Sequence, residues 1–343
     1  MNDLSGPAGP QPSGGAPRSL HLHVNNVSGL GPVFEVTEAR IADALARRPD
    51  LRHRVTVSLT TDGADESGLA GADVLFGWDI GRDDLATRAP ALKLFHAHGA
   101  GVSHLMPLDW LPEGIALANS RGVHGERASE YAMMAILMLN NRVPQMVTNQ
   151  RAGRWQQIFN TAIAGKTLLI VGVGSVGGSV AEVARRFGLR VNGVRRTGAP
   201  HPAVDEMHTP DALAALVPAA DFILVAAPQT TASRHLIDAA AIALMKPGAG
   251  LVNYSRAGLV DYDALRARLE TGDIGAVLDV FDPEPLPEGS PLWQTPNLII
   301  TPHSSSDDPD VYTPKTLDLV LDNMGRLLAG ERLRNVVDRA LEY

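Results

Sequence analysis

Late in the chain, polar residues able to handle a proton and a negative charge each follow an apolar, β-rich run. Arg256 comes directly after "LVNYS", Asp279 and Glu284 sit in "DVFDPE" after "GAVL", and His303 ends "NLIITPH". Taken singly, each has an ordinary reading as a surface charge, a turn cap, a loop acid or a hydrogen-bonded structural histidine. Together they place a guanidinium, carboxylates and an imidazole at the carboxyl ends of neighbouring strands, where open parallel sheets bind ligands. Reduction of a carbonyl needs such a set. When a hydride adds to carbon, the oxygen gains charge; a cation must hold it and an imidazolium must protonate it.

The reductant's place is marked upstream by "LLIVGVGSVGGSVAEVARRFGLRVNGVRRTG", residues 168–198. Gly172, Gly174 and Gly177 have the GxGxxG spacing, a weak signal alone and a stronger one between an apolar strand and the helix-like "SVAEVARRFG". Such glycines let the backbone approach a pyrophosphate, which rests on amides at the helix start, here Ser175 and Val176. NAD-binding versions place an acid after the second strand to accept bonds from ribose hydroxyls. This chain has Arg195, Arg196 and Thr197 there. An arginine cannot accept those bonds but can pair with a 2′-phosphate. The expected cofactor is therefore NADP(H), with NAD as the alternative, and the competing reading is two solvated arginines at a turn.

Elements that would position these groups recur along the chain. From residue 20, "LHLHV", "RVTVSL", "ADVLFGW", "LKLFHAH" and "IALANS" read as strands of one α/β unit. A second series runs through "KTLLIVGVG", "LRVNGV", "ADFILVAAP", "AGLVNYS", "GAVLDVF" and "NLIITPH". Between them, "GERASEYAMMAILMLNNRVPQMV" reads as a helix apolar on nearly every side, which calls for burial all round. It is either a central core helix or a helix with one face on its own domain and the opposite face on a second copy, and the second reading predicts a homodimer. Leu317, Val320, Leu321, Met324 and Leu328 mark a last helix stopped by Gly330 and packed back on the first domain.

The totals narrow the function classes. The 343 residues, 45% of them apolar, suffice for two cores, and a formal charge of −8 argues against nucleic-acid and anionic-membrane partners. No cysteine is present, so no disulfide, thiol nucleophile or thiolate metal site is expected, which fits the cytoplasm. Residues 1–17 carry four Gly and four Pro without Lys or Arg and predict a disordered tail, taken as 1–18. The longest apolar run, "YAMMAILML", has nine residues, too few to span a bilayer.

Beyond the tail, the chain resembles the D-isomer-specific 2-hydroxyacid dehydrogenases, through "HGAGVSHL", "NSRGVHGERASEYAM", "GVGSVGGSVA", "APQTTASRHLI", "NYSRAGLVDYDAL", "LDVFDPEPLPEGSPLW", "TPHSS" and "NVVD". The resemblance implies two doubly wound parallel-sheet α/β domains, a Rossmann cofactor domain and a flavodoxin-like substrate domain, with the active site in the cleft. It places the substrate domain at 19–119 completed by 304–343, and the cofactor domain at 120–303. Arg256 then corresponds to the substrate-binding arginine, His303 to the acid/base, Glu284 to the carboxylate that keeps the histidine protonated, and Asp279 to an acid that tunes the site and contacts the cofactor. Ala100, Gly101 and Val102 would hold the substrate carboxylate, and Ala227 and Pro228 would join the cofactor contacts. Two residues depart from the family pattern: Ala257 where Gly is common, and Ser103 where Asp is frequent. Trp78 would line the pocket or belong to the core. The implied activity is NADPH-preferring reduction of a small 2-keto acid, with a dinucleotide-sensing binding protein of the corepressor type as the alternative.

Overall fold

Short apolar runs bounded by glycine, proline and polar turns form two all-parallel sheets, each buried on both faces as parallel sheets require. The computed structural model describes residues 19–343, so the segment read as a disordered tail lies outside the described residues. The first sheet is built from β1 (Leu20–Asn26), α1 (Glu38–Ala46), β2 (Val55–Thr61), β3 (Val74–Gly77), α2 (Leu85–Arg88), β4 (Leu94–Ala97) and β5 (Ala116–Asn119). Its strand order β2-β1-β3-β4-β5 is the flavodoxin-like one.

Two helices, α3 (Gly125–Asn140) and α4 (Val143–Arg151), lead into the second sheet. This contains β6 (Thr167–Val171), α5 (Ser175–Arg186), β7 (Arg190–Val194), β8 (Glu206–His208), α6 (Leu213–Leu216), β9 (Phe222–Val225), α7 (Ala239–Leu244), β10 (Gly250–Asn253), α8 (Tyr262–Glu270), β11 (Gly275–Leu278) and β12 (Leu298–Ile300). Its order, β12-β11-β10-β9-β6-β7-β8, reverses direction between β6 and β9 and so opens a crevice at that switch point. Period-two alternation assigns each residue to a face: Leu168 and Ile170 pack with α3 and α5, while Leu169 and Val171 pack with residues of α7 and α8.

The final helix, α9 (Tyr312–Ala329), returns to the first sheet. Its Leu317, Val320, Leu321 and Met324 pack with Leu20, Leu22, Val24, Val74 and Phe76. Gly330 caps it with φ +69°, a conformation that glycine adopts without the Cβ penalty.

Two sequence-based assignments need correction. The stretch read as one apolar helix is two, broken at Asn141 and Arg142, the latter at φ +55°. Pro144 explains the break, because its ring would collide with the carbonyl four residues back and it has no N–H for the ladder. The edge strand β8 had no sequence expectation at all. Its residues, Glu206, Met207 and His208, lie on a half-exposed margin where apolar periodicity carries no signal.

Candidate active site

β6 ends at the switch point in the glycine loop. Gly172 has φ +107°, and a Cβ there would lie 2.3 Å from the Ala227 amide nitrogen, so the loops after β6 and β9 touch backbone to backbone. A Cβ on Gly177 would lie 2.2 Å from the Gly172 carbonyl oxygen, which presses α5 against the turn. Gly174 differs: a Cβ on it would meet nothing within 4 Å. That open space faces the start of α5, whose first amides, including those of Ser175 and Val176, have no partner inside the helix. Arg195, Arg196 and Thr197 follow β7 beside it. Arg195 bonds the Pro200 carbonyl (2.8 Å), whereas Arg196 is exposed. On the other side, Ser255 Oγ donates to the Ala227 carbonyl (2.5 Å) and Ser233 Oγ to that of Pro228 (2.8 Å). Free helix amides, room at Gly174 and adjacent guanidiniums fit a phosphate-bearing dinucleotide.

Arg256 leaves the end of β10 and reaches across to the first sheet. Asn253 Nδ2 donates to the Arg256 carbonyl (3.0 Å) and fixes its backbone, while Arg256 Nη1 donates to the Ser255 carbonyl (2.7 Å). Its Nη2 lies against Gly101, where a Cβ would come within 2.1 Å of it. The loop after β4 is held by Asn119 Nδ2 on the Ala100 carbonyl (2.8 Å). Among the described residues, the amides of Ala100, Gly101 and Val102 donate no hydrogen bond to the protein. Three open N–H groups beside a guanidinium make a site for a carboxylate or a carbonyl oxygen. Desolvation lowers the Arg256 pKa from its ordinary value, opposed by the charges of Glu284 and Asp307.

His303 follows β12 at φ +48°, in the left-handed region, with its amide on the Asp279 carbonyl (2.8 Å). Its Nδ1 lies 2.7 Å from Glu284 Oε2, and the other carboxylate oxygen, Oε1, accepts from the Phe281 amide (2.7 Å). Desolvation pushes the Glu284 carboxyl upward. The hydrogen bonds from His303 and Phe281 and the charges of His303 and Arg256 outweigh it, leaving Glu284 below the ordinary carboxylate range. Asp279 is fully buried beneath this turn. Its Oδ1 accepts from Thr301 Oγ1 (2.5 Å) and the Ser304 amide (3.1 Å), and its Oδ2 from the Ser305 amide (3.1 Å).

Behind the loop after β4 lies an aromatic stack of which the sequence marked only Trp78. Trp78, half-exposed after β3, stacks on His98 (centroids 5.4 Å apart, planes at 23°), and His98 stacks on Tyr312 (5.4 Å, 8°). Tyr312 donates to the His98 carbonyl (2.8 Å) and approaches His124, whose Nε2 is 3.4 Å from Asp307. Trp78 therefore belongs to a packed stack, and its ring also lies against Gly99, where a Cβ would come within 2.8 Å of it. Burial pushes His96 and His98 down to about 3, so both are neutral at neutral pH. His98 stands within the quoted "HGAGVSHL", the one sequence signal that could have drawn attention to it; Tyr312 and Asp307 lie in no such motif.

Comparison with known proteins follows the same lines. The family model described as D-isomer specific 2-hydroxyacid dehydrogenase, NAD binding domain, matches residues 133–305. A glyoxylate/hydroxypyruvate reductase B of Pectobacterium carotovorum is 32% identical over 311 residues, 87% of this chain and 96% of that protein. A D-isomer specific 2-hydroxyacid dehydrogenase of Xanthobacter autotrophicus, solved with NADPH and MES, superposes with a TM-score of 0.82 at 28% identity, covering 95% of this chain and 100% of that one. An NADPH-dependent glyoxylate/hydroxypyruvate reductase of Sinorhizobium meliloti, solved with NADP and sulfate, gives 0.78 at 26% identity over 94% and 100%. The chain spans about half the length of two D-3-phosphoglycerate dehydrogenases it also matches, 52% and 45%.

Proposed function

Because the chain belongs to the D-isomer-specific 2-hydroxyacid dehydrogenases, oxidoreductases that use NAD(P), we propose that it reduces a small 2-keto acid to the D-2-hydroxy acid with NADPH in preference to NADH. The observation that carries this reading is the His303 to Glu284 contact of 2.7 Å in the same cleft as Arg256 and the open amides of Ala100, Gly101 and Val102. Gly172, Gly174, Gly177, Ser175, Val176, Ala227 and Pro228 hold the dinucleotide, with Arg195, Arg196 and Thr197 at its 2′-phosphate. When bound, the cofactor supplies the hydride.

The chain's own residues do the rest. Arg256 and the three amides fix the substrate carboxylate and steady the oxygen that gains charge. Glu284 accepts the Nδ1 proton of His303, which leaves Nε2 to deliver the proton to that oxygen. Asp279 acts by holding the turn of residues 301–305 that carries His303, because its carboxylate is already bonded to that turn. The half-exposed ring of Trp78, packed against Gly99 beside the loop of Ala100, Gly101 and Val102, favours small acids such as glyoxylate or hydroxypyruvate. The substrate domain is assigned to 19–119 and 304–343 and the cofactor domain to 120–303, a division supported by the return of α9 to the first sheet.

A panel of 2-keto acids with NADPH and NADH, followed at the nicotinamide absorbance band, tests the reading. Turnover of glyoxylate or hydroxypyruvate with a higher kcat/KM for NADPH is expected. No turnover of any acid, or equal use of the two cofactors, counts against it.

The working state is assigned as a homodimer. The inner side of α3 is buried in its own domain, but Met134 on its outer side is exposed, and beyond α4 Trp155 and Phe159 are 95% and 87% exposed. Apolar rings left so bare are suited to burial against a second copy. Light scattering at micromolar concentration should give about twice the 36.4 kDa chain mass; a monomer would remove this assignment.

A further inference from the structure

The last residues tie the substrate domain to the cofactor crevice. Asn335, Val337 and Arg339 are anchored on the first domain: Asn335 Nδ2 donates to the Asn119 carbonyl (3.2 Å), the Val337 amide to that of Leu117 (2.8 Å), and Arg339 Nη1 to that of Leu111 (2.9 Å). The chain then crosses over. Both carboxylate oxygens of Glu342 accept from Thr231, Oε2 from its amide (2.6 Å) and Oε1 from its hydroxyl (2.8 Å). Tyr343 Oη accepts from Arg196 Nε (2.9 Å). Glu342 holds φ +63°, rare for a side-chain-bearing residue, and its amide bonds the Asp338 carbonyl (2.8 Å). The turn is thus fixed at both ends.

Its position follows from the sheet order. Arg196 comes after β7 and Thr231 after β9, the two neighbours of β6. A segment bonded to both spans the crevice above the glycine loop, on the side where Arg195, Arg196 and Thr197 stand. Among the described residues, the two terminal amino groups of Arg196 make no hydrogen bond to the protein, and only Nε is committed, to Tyr343. A phenol that accepts one bond still has its own proton to donate.

We propose that Tyr343 is a specificity-determining residue for the cofactor: its hydroxyl, held by Arg196 Nε, donates to the 2′-phosphate of NADP(H) while the free amino groups of Arg196 complete the contact. The substrate domain would then read the phosphate through Glu342 and Tyr343, which neither NAD nor NADH carries. This rests on the NADPH preference proposed above.

Calorimetric titration of the full chain with NADPH and with NADH, in the wild type and in Tyr343→Phe, tests it without reference to turnover. The substitution removes one oxygen from a half-buried ring and should leave the melting temperature unchanged. The wild type should bind NADPH more tightly, and Tyr343→Phe should raise the NADPH Kd about tenfold, as loss of a hydrogen bond to a charged group does, with the NADH Kd within about twofold by the same reasoning. An unchanged NADPH Kd, equal weakening of both cofactors, or tighter NADPH binding overturns the inference. If the wild type itself binds both cofactors alike, the NADPH reading fails and takes the inference with it. If the wild type prefers NADPH and Tyr343→Phe prefers it just as strongly, the inference alone fails.

Discussion

Replacing His303 with alanine is expected to lower kcat for keto-acid reduction by about 10² to 10⁴, the usual span for a positioned acid. The imidazole has Nδ1 on Glu284 at 2.7 Å, and among the described residues it makes no hydrogen bond to the glycine loop. Dinucleotide affinity should therefore hold while turnover collapses. The pH dependence has a definite sign. Reduction consumes a proton and oxidation of the hydroxy acid releases one, so reduction should slow and oxidation quicken as pH rises. Glu284 is held below the ordinary carboxylate range, so it stays ionised and bonded to His303 at mildly acidic pH. By linkage, the stability it contributes is present above its unfolded value and is lost only as pH drops through the lower folded one. Glu284→Gln removes the anionic partner of His303 Nδ1 and should lower kcat for reduction while leaving dinucleotide affinity in place. Near-normal turnover in His303→Ala, or profiles for the two directions that run parallel, would assign the proton to another group.

Arg256→Gln should lower kcat/KM for the keto acid by about 10² to 10³, comparable with removal of a transition-state donor. Lysine should not restore it, because a point charge cannot reproduce the planar fork. The structure supplies a companion experiment that leaves the guanidinium in place. In Gly101→Ala the new methyl would lie 2.1 Å from Arg256 Nη2, so the arginine must move away from the three open amides. Both variants should lose substrate efficiency and retain dinucleotide binding, read separately by titration. If Gly101→Ala behaves as wild type, the close packing of Arg256 on this loop has no part in substrate binding.

Sequence and structure agree best where chemistry and periodicity coincide. Apolar strands such as "LLIV" and the glycines of the switch-point loop are readable because few other arrangements suit those residues. His303 and Glu284, nineteen positions apart, could be paired only through resemblance, since nothing in their spacing says that the turn after β12 folds over the one after β11. The stack of Trp78, His98 and Tyr312 is harder still to read. Its members are 214 residues apart in the Tyr312 to His98 bond, and aromatic stacking leaves no periodic trace. The break between α3 and α4 is less legible for another reason: apolar residues resume past Asn141 and Arg142 at Val143, Met146 and Val147, although the missing N–H and clashing ring of Pro144 end a helix whatever surrounds them.

The return of α9 to the first sheet also sets the order in which the molecule can be completed during synthesis. One face of that sheet, with Val24, Val74 and Phe76, is covered by Leu317, Val320, Leu321 and Met324, nearly three hundred residues downstream of the first strand. Domains ordinarily fold as they leave the ribosome, amino-terminal ones first. Here the amino-terminal sheet emerges early with that face only partly covered, by Ile41 and Ala44 of α1, and waits until the whole second domain has been made. A nascent chain released before Tyr312 would carry a finished dinucleotide fold next to an unfinished, sticky one. For the cell, the costly interval in making this protein is the translation time between Asn119 and Ala329, when a chaperone has most to shield.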